Sequence, residues 1–132
     1  MDERFDTWVN PEIEEGKLTK WNWMVQGKEG LELGEKTDIG AFCYINARSG
    51  VSIGEGVEIG SHCSIYSEST IDNKKGKVII EKNAKIGSHS TIMPGIKIGE
   101  NAIVGAHSFV NKDIPENVIA FGVPAKIIKQ KD

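Results

Sequence analysis

The chain has 132 residues, a net charge of −3 and a pI near 5.6, and this length is that of one domain. The acidic balance argues against nucleic acid as a partner, and no apolar run approaches the ~18 residues that a membrane-spanning helix needs. The two cysteines form no CxxC motif and the acidic N-terminus has no apolar signal segment, so a reducing, cytoplasmic location is expected.

Residues 1–32 precede any regular repeat and are predicted to form a short helical or irregular cap. Trp8, Trp21 and Trp23, the three tryptophans of the chain, all lie in this segment. We expect them to cover the open end of the structure that follows. Beyond residue 30 glycine is abundant and tryptophan is absent, so the core there is predicted to consist of aliphatic and small side chains.

An aliphatic residue recurs at every sixth position from Leu33 onward. The series is Leu33, Ile39, Ile45, Ile53, Ile59, Ile65, Ile80, Ile86, Ile92, Ile98, Val104 and Val110, with two residues inserted after Ile45 and nine after Ile65. A helix has period 3.6 and a single amphipathic strand has period 2, so period six indicates a triangular coil with three hexapeptides per turn. Twelve units predict four coils over residues 33–115, stacked at roughly the 4.8 Å spacing of paired strands.

Two further segments follow from the repeat. The insertion within Tyr66–Ile79 is polar, and a loop that projects from a rigid solenoid often carries specificity residues, although a tolerated surface bulge is the alternative. Residues 116–132 are predicted to close the second end, with a short strand near Val118–Phe121, a turn at Gly122–Pro124 and a basic tail.

The three histidines of the chain fall in one predicted column. Counting three residues on from the aliphatic position of each coil gives Phe42, His62, His89 and His107. Histidine titrates closest to neutral pH, which suits general acid–base chemistry. A solvated polar face and a zinc site are the alternative interpretations. Cys43 and Cys63 share another column, which points inward and predicts packed free thiols.

The C-terminal part of the chain resembles a known enzyme family. Its order IG-x-x-x-TI-x-PG, then IG-x-x-x-x-VGA-x-S-x-V-x-KDIP, then GVPAK, within residues 80–130, is similar to the signature of acetyl-CoA-dependent hexapeptide-repeat acyltransferases. These include galactoside, maltose and xenobiotic acetyltransferases and N-acetyltransferases of amino-sugar nucleotides. The resemblance implies an all-β solenoid, a left-handed parallel β-helix. It also implies a homotrimer with active sites between subunits and acetyl-CoA lying along the coils.

The resemblance also assigns site residues. Cofactor-binding residues would be Ser88 and Ala106 beside the pantetheine arm, His107 near the middle of the cofactor, Asn111 and Lys112 where relatives often carry Thr-Lys, and Lys126 and Lys129 near the nucleotide phosphates. His62 is the expected general base and His89 is its rival, and no metal is assigned. Galactoside-type relatives carry the catalytic histidine in the loop after the second coil, where this chain has Thr70. Their mechanism therefore cannot be transferred unchanged.

These features predict acetyl transfer from acetyl-CoA to a sugar. The favoured acceptor is the amino group of a nucleotide-linked amino sugar in surface-polysaccharide biosynthesis, and sugar O-acetylation is the alternative. Two other classes compete. One is a zinc enzyme of the γ-type carbonic anhydrase kind, although no two histidines here lie within a few residues of each other. The other is a non-catalytic trimeric scaffold, which the missing loop histidine keeps open.

Overall fold

The computed structural model describes residues 5–132. Short parallel strands stack into three flat faces around one core. Face A contains β1 (Met24–Gln26), β4 (Tyr44–Asn46), β7 (Ser64–Tyr66), β12 (Thr91–Ile92) and β15 (Phe109–Val110). Face B contains β2 (Leu31–Leu33), β5 (Val51–Ile53), β10 (Val78–Ile80) and β13 (Lys97–Ile98). Face C contains β3 (Asp38–Ile39), β6 (Glu58–Ile59), β11 (Lys85–Ile86), β14 (Ile103–Val104), β16 (Val118–Gly122) and β17 (Ala125–Gln130).

The chain visits faces B, C and A in turn, as successive coils of a solenoid do, and the predicted left-handed parallel β-helix is confirmed. Four complete coils are flanked by partial ones, giving about five turns. The predicted stacking is also confirmed, because Ile39 pairs with Ile59, Ile59 with Ile86, and Ile86 with Val104. The inward aliphatic side chains of successive coils are almost completely buried, and this burial is the main favourable contribution to folding.

Glycines let the coils approach closely at the end of each face C strand. A Cβ added to Gly87 would lie 2.4 Å from the backbone nitrogen of Ala106, and one added to Gly60 would lie 2.6 Å from that of Ser88. Both distances are shorter than any real contact, so these positions exclude every side chain. The repeated glycine after the aliphatic residue is therefore a requirement of coil stacking.

The ends of the solenoid differ in detail from the sequence prediction. β1 lies within the segment predicted as a cap and pairs with β4, and a 3₁₀ turn at Lys28–Gly30 follows it. Trp23 is buried in the core, whereas Trp21 is 40% exposed. At the other end the strand near residue 118 is confirmed, but the basic tail is a strand, β17, because it pairs antiparallel with β16.

The insertion after the second coil forms a small hairpin. Its strands are β8 (Glu68–Ser69) and β9 (Lys74–Lys75), and Ile71 near the tip is almost fully exposed. Ser67 at its base is completely buried and its hydroxyl donates to the side chain of Asn46. No helix in the part of the chain that the structure describes has the length and apolarity to cross a membrane.

Glu15 fastens the N-terminal segment to the 3₁₀ turn. The backbone N–H groups of Gly27 and Lys28 donate to its two carboxylate oxygens at 2.7 and 2.9 Å. These hydrogen bonds favour the ionised form and lower the pKa of Glu15 below 4.5, the Lys28 bond more than the Gly27 bond.

We expect Glu15→Gln to lower the thermal unfolding midpoint at neutral pH. Because the folded-state pKa is the lower one, the stabilisation is present above the unfolded pKa and is lost as the pH falls through the folded value. The difference between wild type and variant should therefore shrink as the pH is taken well below 4.5 in thermal melts followed by circular dichroism. Glu12→Gln, an exposed change on the same segment, is the control. A gap that persists at low pH would contradict the ionic origin.

Candidate active site

The three histidines form a stacked ladder along one corner of the solenoid. The ring centroids of His62 and His89 are 4.7 Å apart and those of His89 and His107 are 4.8 Å apart, with interplanar angles of 4° and 13°. Phe42 extends the stack, 5.4 Å from His62. All four side chains are exposed, so the predicted outward column is confirmed.

The backbone at this corner is left-handed in every coil. Phe42, His62, His89 and His107 have φ between 59° and 64°. The corner between faces B and C is left-handed too, and it carries Lys36, Gly56, Asn83, Asn101 and Asn117. Glycine adopts this conformation most readily, asparagine and histidine are enriched in it, and a bulky residue such as phenylalanine is an outlier. The backbone of the corner is therefore compatible with the three histidines and strained at Phe42, and strained backbone tends to cluster at functional sites.

A second ladder, of backbone groups, runs beside the rings. The N–H of His62 donates to the carbonyl of Ala41, that of His89 to Ser61, and that of His107 to Ser88, at 2.9–3.0 Å. The carbonyl of Ala106 is next in this series, but no further coil supplies a donor because the chain turns away after Gly122. Among the described residues this carbonyl has no partner, so it is available to a bound ligand.

A shallow groove of about 450 Å³ crosses face C next to this corner. The floor includes Gly60, Gly87 and Gly105, and the groove ends against Ala106 in the last coil and Asp38 in the first. These three glycines add no side chain to this surface, and the site of a Cβ on each is filled by the neighbouring coil or by Phe121. Three coil steps separate its ends, or roughly 14 Å at the usual strand spacing.

The two ends of this groove carry opposite charge. Asp38 and Glu58 lie at adjacent positions near the N-terminal end, and Lys85 pairs with Glu58 at 3.4 Å in the middle. Beyond the C-terminal end lie Lys126, which pairs with Phe121, and Lys129, which pairs with Ile119.

A β-bulge aligns these two lysines. Residues three apart on a regular strand point to opposite faces. The register of β17 shifts between Ile119 and Ala120, and the extra residue brings Lys126 and Lys129 to the same face. The sequence alone did not reveal this alignment, because a bulge leaves the residue spacing unchanged.

The other predicted cofactor residues lie in two places. Ser88, Ala106 and His107 lie together at the histidine corner and share the two ladders. Asn111 and Lys112 are exposed and follow β15, which places them at the next corner of the last coil. Asn22, which was not predicted as a site residue, shares the left-handed conformation, and its backbone carbonyl accepts a hydrogen bond from the N–H of Phe42 at 2.6 Å.

Cys43 and Cys63 are buried free thiols, as predicted. Their sulfurs donate to the carbonyls of Gly60 and Gly87 at 3.0 and 3.2 Å. The neighbouring Cys63 thiol and burial together raise the pKa of the Cys43 thiol well above its usual range. Within residues 5–132 no three His, Cys, Asp or Glu side chains are arranged to hold a metal ion.

The sequence of the repeat matches a described family. The profile "Bacterial transferase hexapeptide (six repeats)" matches residues 77–112. Residues 77–112 of this chain therefore resemble the hexapeptide repeats of bacterial transferases. Over 53 residues the chain is 51% identical to the galactoside O-acetyltransferase of Escherichia coli K12; these residues make up 40% of this chain and 26% of that protein. The hexapeptide-repeat chain therefore matches about a quarter of the length of this relative.

Solved structures extend the likeness over most of the hexapeptide-repeat chain. A galactoside acetyltransferase in complex with coenzyme A is 28% identical, with a TM-score of 0.76 over 83% of this chain and 60% of that one. AntD, an N-acyltransferase from Bacillus cereus in complex with dTDP-4-amino-4,6-dideoxyglucose and coenzyme A, is 27% identical. The TM-score is 0.60 over 84% of this chain and 71% of that one. The resemblance drawn from the C-terminal signature is thereby confirmed.

Proposed function

We propose that this chain is an acetyl-CoA-dependent acetyltransferase that acts on the amino group of a nucleotide-linked amino sugar. The observation that carries the proposal is the histidine ladder along a glycine-floored groove with basic residues at one end. The coenzyme A bound to the galactoside acetyltransferase and AntD supports the donor. The amino-sugar nucleotide bound to AntD supports the acceptor.

In this proposal acetyl-CoA lies along the groove. Lys126 and Lys129 pair with the phosphates, since ammonium groups bind phosphate as point charges. The free carbonyl of Ala106 accepts from a pantetheine amide. The N–H groups of Ser88 and Ala106, which donate to no other described residue, face the same path. Asn111, Lys112 and His107 complete the contacts.

The chemistry is a direct acyl transfer. The acceptor nitrogen attacks the thioester carbonyl, His62 or its rival His89 takes the proton from that nitrogen, the C–N bond forms and the C–S bond breaks. The departing thiolate of coenzyme A takes up a proton. Positioning the two substrates and supplying a base each lower the barrier. A backbone N–H group such as that of Ser88 stabilises the developing oxyanion.

The assembly and location belong to the same proposal. The chain acts as a cytoplasmic homotrimer with each site between two subunits, and sedimentation equilibrium measures the number of subunits. Exposed apolar side chains on the C-terminal hairpin, among them Val123 and Ile127, support burial against a second copy. Monomeric protein with full activity would contradict the shared site.

The deciding experiment measures binding and turnover on the same preparation. Calorimetry with acetyl-CoA reports the donor. A thiol-release assay then follows coenzyme A production with dTDP-4-amino-4,6-dideoxyglucose, glucosamine, methyl β-galactoside and maltose as acceptors. Release with the amino sugars only supports N-acetylation, and release with the galactoside or maltose replaces it with O-acetylation. Tight donor binding without release to any acceptor would instead establish the scaffold.

Replacing Lys126 and Lys129 together by alanine should weaken acetyl-CoA binding by roughly tenfold, because two phosphate contacts of about 0.7 kcal/mol each are lost. The loss should diminish as the salt concentration rises, since exposed charges are screened. Lys17→Ala, which removes an exposed lysine from the other end of the chain, is the matched control. If the double variant binds acetyl-CoA with unchanged affinity in calorimetry, the phosphates of the cofactor do not bind at β17.

A further inference from the structure

The first end of the solenoid contains a cavity that the proposed chemistry has not used. Its volume is about 390 Å³, within the range of small-molecule sites in proteins. Four of its eleven lining residues are aromatic and four are polar or charged. The lining includes Phe5, Trp8, Trp21, Trp23, Lys20 and Asp38.

The aromatic walls are held in place from below. The indole N–H of Trp8 donates to the carbonyl of Thr37 at 2.9 Å, and the backbone N–H groups of Trp21 and Trp23 both donate to the buried hydroxyl of Thr19. Trp23 is 3% exposed, so its ring is fixed in the core, whereas Trp21 keeps 40% of its surface accessible. The pocket therefore has a rigid floor, and Trp21 is the most exposed of its three indoles.

Two charged groups of opposite sign complete the lining. Lys20 lies over the Trp21 ring, with its Nζ 4.8 Å from the ring centroid, and this cation–π contact holds it at the wall. Asp38 has an interaction within the protein, but a carboxylate accepts about four hydrogen bonds and can take more. An apolar ring face with a donor and an acceptor at its edge suits a molecule that is flat and apolar on one side and hydroxylated around its rim.

The position of the cavity indicates which of the two substrates of a transferase, the acetyl-CoA donor or the acceptor, it would bind. Asp38 lines both the cavity and the groove on face C, so the cavity continues the groove at its acidic end. The nucleotide of coenzyme A carries phosphates and belongs with Lys126 and Lys129 on β17, five strands along face C from Asp38, or roughly 24 Å at the usual strand spacing. A carboxylate repels phosphate but attracts a hydroxyl or an ammonium group.

We propose that this cavity is the acceptor site and binds a pyranose ring, stacked on Trp21 with its hydroxyl or amino substituents on Asp38 and Lys20. The assignment rests on the proposed function for the identity of the acceptor, but not for the binding itself. It makes the N-terminal segment, which is not part of the repeat, the element that selects the sugar.

Calorimetry and kinetics on two variants test the assignment. Trp21→Leu removes the stacking face and Asp38→Asn removes the charge. Leu18→Ala is the matched control, because it deletes an exposed apolar side chain (52% exposed) of the same segment outside the cavity. The probes are dTDP-4-amino-4,6-dideoxyglucose, glucosamine and maltose, with acetyl-CoA measured in parallel.

The sugar that binds wild type should bind each cavity variant roughly tenfold more weakly, with KM raised and acetyl-CoA affinity unchanged, while Leu18→Ala behaves as wild type. If wild type binds the sugar without turnover and the cavity variants lose this binding, the cavity assignment stands and the transferase proposal is overturned. Turnover with an unchanged KM in both variants would uphold the transferase and overturn the cavity. Weakened acetyl-CoA binding would assign the cavity to the adenine, and absence of sugar binding to wild type would overturn the acceptor site outright.

Discussion

His62→Asn is expected to lower kcat by about 100-fold or more, because a positioned general base contributes typically 10²–10⁴-fold. Asparagine is the informative replacement, since it adopts the left-handed backbone that His62 occupies at φ 60° without the strain of alanine. Stopped-assay turnover, acetyl-CoA calorimetry and a thermal melt on the same sample separate chemistry from binding and folding. Donor affinity and melting temperature should stay close to wild type.

The same change at His89 distinguishes the base from its neighbour in the stack. Only the variant that lacks the general base should lose kcat to this extent. The variant of the other histidine should lose less, because it removes only a ring that stacks on the base. Lys36→Asn, the equivalent substitution at the other left-handed corner, controls for the backbone effect. Full activity in both histidine variants would show that neither His62 nor His89 is the general base.

Gly87→Ala should destabilise the fold by about 3 kcal/mol or more, the upper range of overpacking costs. The new methyl group would lie 2.4 Å from the backbone nitrogen of Ala106, and two backbones held by parallel hydrogen bonds cannot separate locally. Urea unfolding followed by circular dichroism measures the change. Acetyl-CoA affinity should fall as well, because the clash displaces the backbone of Ala106, whose carbonyl and N–H are proposed to contact the cofactor.

Gly95→Ala is the matched control for the glycine effect. Gly95 has φ 79° but no atom within 4 Å of an added Cβ. The expected cost is therefore the backbone strain alone, about 1 kcal/mol. Equal destabilisation by the two substitutions would show that conformation, and not the close approach of the coils, explains the repeated glycine.

The period of the aliphatic residues was sufficient to predict the coil, its register and the histidine column. Each coil aligns with the next through backbone pairing, so counting along the sequence amounts to measuring along the axis. Ile59 and Ile86 fall opposite each other although nine inserted residues intervene, because the insertion leaves the solenoid as a hairpin and returns to the same register.

The ends and the site were less predictable because they depend on contacts without a period. Nothing in the spacing of Lys126 and Lys129 indicates the bulge that brings them to one face. The aromatic cavity arises where an irregular segment folds back on the first coil, through single hydrogen bonds such as that from Trp8 to Thr37. The left-handed corners could have been suspected from the asparagines at 83, 101 and 117, which favour that conformation.

The left-handed corner beneath the histidines also has an evolutionary consequence. Asparagine or glycine would satisfy the backbone there at least as well as histidine, as the other corner illustrates. Under the proposed function, a lineage that lost catalysis would be free to exchange these rings for asparagine, one coil at a time, without disturbing the stack of aliphatic residues inside. Descendants of this chain that serve only as scaffolds should be recognisable by two asparagine-lined edges in place of one.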